Sequence, residues 1–110
     1  MKLPGALQAV IDPHKLEDYS LSSEHPRGKH KARVFLTALG VSAEHAAELE
    51  RVIKEAVSKE ECIRGESDRF GERFIVDFRW TRQDRTATVR TTWIVRAGED
   101  FPRLTSCYVR

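Results

Sequence analysis

Arg85-Thr-Ala-Thr-Val-Arg-Thr-Thr-Trp-Ile-Val95 is the longest run in the chain whose residues all suit a pleated, half-buried surface. Threonine, valine, isoleucine and tryptophan favour strands, and the run has neither Gly nor Pro, so it reads as a central strand rather than a loop or an edge. Period-two alternation puts Ala87, Val89, Thr91, Trp93 and Val95 on one face and Thr86, Thr88, Arg90, Thr92 and Ile94 on the other. The first face wants a core, while the second can meet solvent or a ligand.

The neighbouring segments extend this strand into a sheet. Arg73 to Trp80 alternates with Phe74, Val76, Phe78 and Trp80 on one side, after a break at Phe70-Gly71. Thr81 to Arg85 is a connection short enough for an antiparallel hairpin, although it lacks the Asn-Gly signal. Ala97 to Pro102 is the next turn, and Arg103 to Val109 is a last strand. Glu60 to Asp68 reads equally as a short strand around Cys62-Ile63 or as an irregular crossing.

Upstream the period changes to that of helices. Ala32, Phe35, Leu36 and Leu39 predict a helix over 29–39, stopped by Gly40, whose far face carries Lys29, Lys31 and Arg33. Ser42 is a cap for a second helix over 43–58, with Glu44 in its first turn and Ala46, Leu49, Val52, Ile53, Ala56 and Val57 as its apolar stripe. Residues 1–12 form a turn-rich lead-in, and Asp12-Pro13 starts a short helix to about Tyr19, with Leu16, Tyr19 and Leu21 facing inward. The loop from Ser22 to Gly28 holds His25 at a set angle, because Pro26 biases it toward extended backbone. Helices first and strands afterwards give one α+β domain over residues 1–110: two main N-terminal helices on one face of a three- to four-stranded antiparallel meander. The expected core includes Phe35, Leu39, Leu49, Ile53, Phe74, Val76, Val89, Trp93 and Val95.

The chain has 110 residues, 40% of them apolar and 33% charged, which is ordinary for a water-soluble domain. No apolar run approaches the roughly 20 residues of a membrane span. The N-terminus carries no secretory signal, because Pro4, Gly5 and Asp12 interrupt it. Cys62 and Cys107 have no metal-ligand spacing and read as reduced thiols in a cytoplasmic protein. A net charge of +2 says little about partners, but its distribution says more. Arg27, Lys29, Lys31 and Arg33 lie in an acid-free stretch from His25 to Phe35, and from Arg64 onward there are ten arginines, seven acids and no lysine. Arginine in that excess suits bidentate recognition of phosphate or carboxylate; scattered surface ion pairs are the plainer reading.

His25-Pro-x-Gly28, Lys31-Ala32 and Phe35, then Gly71 before a strand, Arg85-Thr86, Trp93-Ile94, Gly98-Glu-Asp-Phe-Pro-Arg103 and Tyr108 together resemble a small bacterial family of unknown function. The resemblance runs from Lys2 to Val109, with Ser106 where the family usually has Thr. It implies a stand-alone protein with a co-encoded, antitoxin-like small partner, related to the C-terminal domains of large bacterial toxins. Two helices leading into an antiparallel meander is also similar to the plan of the small toxin ribonucleases, among them barnase, the colicin tRNases and the mRNA interferases. The function this implies is a metal-independent ribonuclease of a toxin–antitoxin system, with RNA as substrate and no cofactor. The alternative is a non-catalytic binding module or antitoxin-like partner that uses an exposed strand edge.

A ribonuclease of that kind needs a base, an acid and donors for the charge on the phosphorane. His25 is the candidate acid or base, since an imidazole titrates near neutrality; its other reading is a loop histidine that caps a helix. Lys31 and Arg103 are candidates to hold the phosphate, the latter fixed in direction by Pro102. Ser106 and Tyr108 share a face of the last strand, Arg90 and Thr92 share the less apolar face of the central one, and coincidence of those faces would make a patch. Arg27 and Lys29 would add charge for substrate binding. Tyr108 reads equally as a core aromatic with its hydroxyl at the rim. The four histidines make no convincing metal set.

Overall fold

Arg85–Arg96 is β3, third in a four-stranded antiparallel sheet of order β1-β2-β3-β4, with β1 over Ile63–Asp68, β2 over Gly71–Arg82 and β4 over Arg103–Val109. The computed structural model describes residues 1–110 except for the side chain of Tyr19, so the inward placement expected of Tyr19 lies outside the described residues. As the alternation predicts, Val89, Thr91 and Trp93 are buried on one face of β3, opposite Phe78, Val76 and Phe74 of β2. Val95 and Ala87 are half-buried at the ends of the same row.

Helices cover that face. Asp12 accepts the His14 N–H and opens a single turn, α1 (Pro13–Lys15), which runs on into a π-helical turn, Leu16–Ser20. α2 spans Lys29–Leu39 and ends on Gly40, whose φ of 67 suits a residue without a side chain. After the 3-10 turn Ala43–His45, α3 spans Ala46–Val57. Ser42 caps that turn, and the His45 ring folds back so that Nδ1 accepts the Ser42 N–H at 3.0 Å. Ala32, Phe35 and Leu39 of α2, and Leu49, Ile53 and Val57 of α3, are buried with Leu16, Leu21 and the sheet residues in one core. No helix is long and apolar enough to cross a membrane among the described residues.

Three expectations need correction, and one open alternative is settled. Leu36 is 55% exposed, because it sits at the shoulder of the α2 stripe rather than on the line of Ala32, Phe35 and Leu39. Gly71 does not break the chain; it begins β2 opposite Arg96, and at its φ of 149 an added Cβ would clash with the Val95 carbonyl oxygen. The 81–85 connection is shorter than the alternation suggests, since the ladder runs to Arg82↔Arg85 and leaves a two-residue turn, Gln83-Asp84. Within 60–68 the strand is β1, whose six residues are all exposed.

The lead-in fastens the two ends of the sheet sequence. Lys2 bridges Glu61, and Cys62 N–H donates to the Met1 carbonyl at 2.6 Å. Val10 runs parallel to Arg103, giving its N–H to Pro102 O and taking the Leu104 N–H.

Candidate functional site

The open face of the sheet and its β4 edge bring together most of the polar candidates. In register, Arg90 of β3 stands between Asp77 of β2 and Tyr108 of β4, and Thr92 stands between Ile75 and Ser106. Arg90 donates to both oxygens of Asp77, through Nε at 2.8 Å and Nη2 at 2.9 Å, and Arg110 Nη1 adds a third bond to Asp77 at 3.0 Å. The Arg90 hydrogen bond, against the opposing effect of burial, holds the Asp77 carboxyl below its usual range. The same bond raises Arg90, with a smaller contribution from Tyr108.

Lys31 comes to this group from α2. Its Nζ lies 4.9 Å from the centroid of the Tyr108 ring, a cation–π distance. Beside Tyr108, a bulge gathers three hydroxyls: the register shifts between Thr92 and Trp93, so Thr105 is the extra residue, and Thr92 Oγ1 meets Thr105 Oγ1 at 2.6 Å and Ser106 Oγ at 2.5 Å. The shift also turns Arg103 and Ser106 to the same side, which strict alternation forbids for residues three apart.

Other candidates lie apart from that group. Arg103 faces Ile94, four residues along β3 from Arg90, so it is roughly 13 Å from the Tyr108 position at about 3.3 Å per residue. It is held there by Glu99, through bonds of 3.0 and 2.9 Å, and by the Phe101 ring at 5.0 Å. Lys29 and Lys31 do not share a face as expected. Two positions are about 200° apart on a helix, so Lys29, with Arg33, turns instead into a groove of about 790 Å³ lined also by Leu21, Leu36 and Ala43. Arg27 is exposed in the turn before α2.

His25 takes up its capping role. Its Nδ1 accepts the N–H groups of Arg27 at 3.0 Å and Gly28 at 3.1 Å, while its carbonyl accepts the Lys29 N–H. Those bonds require Nδ1 to be unprotonated, so a proton on this ring sits on Nε2.

Sequence reading missed Asp77, Thr105 and Arg110. A signal for Asp77 was available: with a two-residue turn at Gln83-Asp84, counting back along both strands pairs Asp77 with Arg90. Nothing in the sequence marks Thr105 as the bulge. Both cysteines are free; Cys107 is fully buried, and burial pushes its thiol up to about 12. No three His, Cys, Asp or Glu side chains gather as a metal site among the described residues.

Helices followed by a four-stranded antiparallel sheet place the chain in the α+β class. It belongs to the family described as Domain of unknown function (DUF6883), whose model matches residues 2–110. No curated protein matches the chain. Among solved structures it is similar to a chain of the contact-dependent growth inhibition toxin–immunity protein complex from Klebsiella pneumoniae 342, with a TM-score of 0.70 and 15% identity over 92% of this chain and 99% of that one. At that identity the likeness is one of fold.

Proposed function

We propose that the protein is a metal-independent ribonuclease of toxin type, acting in the cytoplasm and restrained by a small partner protein that covers its basic face. The observation that carries this reading is the group at the β4 edge: the Lys31 ammonium over Tyr108, with Arg90 and the Thr92, Thr105 and Ser106 hydroxyls beside it on the sheet. Such a group supplies a fixed cation and several donors to one phosphate, which a phosphorane needs without a metal. The likeness in fold to a chain of a toxin–immunity complex supports a place in a toxin system, on the toxin or the immunity side. In this reading Lys31, Ser106 and Tyr108 touch the reacting phosphate, and Arg90 and Thr92 position it. Arg103, Arg27 and Lys29 hold the RNA backbone further out, and His25 exchanges protons through Nε2.

A second reading has an observation of its own. Arg90 and Arg103 each give two bonds to a carboxylate, Asp77 and Glu99, so neither guanidinium offers its full fork to a phosphate. That favours a non-catalytic binding module or an antitoxin-like partner.

Purified protein incubated with total RNA in EDTA decides between them. Cleavage is expected, with Lys31→Ala and Tyr108→Phe about 10²–10⁴-fold slower and Arg103→Ala much less affected, all three shown to be folded by circular dichroism. No cleavage by the wild type, together with unimpaired growth of cells expressing it, would establish the binding module instead. Cleavage undiminished in Lys31→Ala and Tyr108→Phe would remove this group from the mechanism.

A further inference from the structure

β1 covers only part of β2. The two strands pair at Ile63↔Ile75 and Arg64↔Phe74, then again near the turn at Ser67↔Glu72 and Asp68↔Gly71. On the other side of Ile63 the chain leaves the sheet, as Glu61 turns away to bridge Lys2. From Asp77 to Thr81, therefore, β2 is bonded to β3 on one side and, among the described residues, to no strand on the other.

The parity of the ladder says which groups face out. The two-residue turn makes Arg82↔Arg85 a hydrogen-bonded pair, so the alternate residues Asp77, Arg79 and Thr81 direct N–H and C=O away from β3. Beside this edge, under α3, lies a groove of about 360 Å³ whose floor is Phe78 and Trp80, whose wall includes Val52 and Ala56, and whose rim carries the charged Arg51, Glu55, Lys59 and Glu60. An open run of backbone donors and acceptors next to a trough with an apolar floor and a charged rim is a geometry by which a sheet accepts an added strand. One side of the incoming strand would drop into the trough, and the other would lie beside Asp77, Arg79 and Thr81.

Charge selects the occupant. Asp77 is already engaged by Arg90 and Arg110, whereas Arg79 is exposed on the open face and no carboxylate pairs with it among the described residues. A second copy of this chain is a poor fit: antiparallel self-pairing about Arg79 or Asp77 sets like charges opposite each other, and pairing about Phe78 sets Arg79 only against an Asp77 already bound by Arg90 and Arg110. The geometry points to the Asp77–Thr81 edge as a docking site for an extended segment of a different protein, with an acidic residue opposite Arg79 and apolar residues on either side of that acid. The site is at the opposite edge of the sheet from Tyr108, about 10 Å across two strand spacings, and stands whether or not the chain cuts RNA.

The probe is a blocked synthetic heptapeptide of alternating Thr and Leu with Glu at its centre, flanked by Leu, and a twin with Lys in place of Glu. With the full chain labelled for NMR, millimolar Glu peptide is expected to slow amide exchange at Asp77, Arg79 and Thr81 and leave the amides of the 22–44 groove unchanged. It should bind about 2–5-fold tighter than the Lys peptide, the range of one cross-strand charge pair. Arg79→Glu should reverse that preference. The proposal is overturned if those three amides are unaffected at millimolar peptide, if protection maps to the 22–44 groove instead, or if the two peptides bind wild type alike. A preference unchanged in Arg79→Glu would also overturn it.

Discussion

Thr91 is fully buried, and its hydroxyl is used twice: it donates to the Val76 carbonyl at 2.8 Å and accepts the Trp93 indole N–H at 2.8 Å. Thr91→Val is nearly isosteric but strands that indole donor in the core, so it should lower stability by roughly 1–3 kcal/mol in urea unfolding. In the Trp93→Phe background the same change should cost less, because the orphaned donor is gone. Alternation alone places Thr91 on the core face, but only the packed i, i+2 geometry shows why a hydroxyl belongs there. Asp77 gives a prediction with a sign. Its folded pKa lies below its unfolded value, chiefly through the Arg90 bond, so its contribution is present above about pH 4 and is lost as pH falls through the lowered folded value. Asp77→Asn should be less stable than wild type at pH 6, and the gap should narrow as pH falls below about 4 in a thermal-melt series.

Among the elements, the helices were legible because their signals are local: the repeat of Ala32, Phe35 and Leu39, the stop at Gly40, the cap at Ser42. β1 was not, because every residue in it is exposed and a strand without a buried face leaves no period-two trace. The β2–β3 turn was blurred for another reason. Gln83 holds φ 58 where hairpins of this kind ordinarily use Gly or Asn, so the usual mark of a two-residue loop was missing. Gln83→Gly should relieve that conformation and raise the melting temperature by a few degrees, about 0.5–1 kcal/mol. At the other end of the same strand, Gly71→Ala meets both a positive φ and the Val95 carbonyl, and should cost at least about 1–3 kcal/mol in the same assay.

For the whole molecule, Arg90, Thr92, Ser106 and Tyr108 could be expected near one another, since shared strand faces are a matter of counting. The approach of Lys31 could not, because it depends on which flank of α2 meets β4, nor could the bulge at Thr105 that turns Arg103 to the side of Ser106. The lead-in shapes the molecule in another way. Every strand pairing in the sheet joins consecutive segments, whereas Lys2 reaches Glu61 and Val10 reaches Arg103 across most of the chain. Loop-closure entropy weighs against contacts so distant until the hairpins they join already exist. The lead-in should therefore act as a latch that closes after the folding barrier. Leu3→Ala should hasten unfolding several-fold in stopped-flow experiments and leave the refolding rate nearly unchanged, while the amides of Val10 and Leu104 exchange through openings too small to release those of Val89 and Trp93.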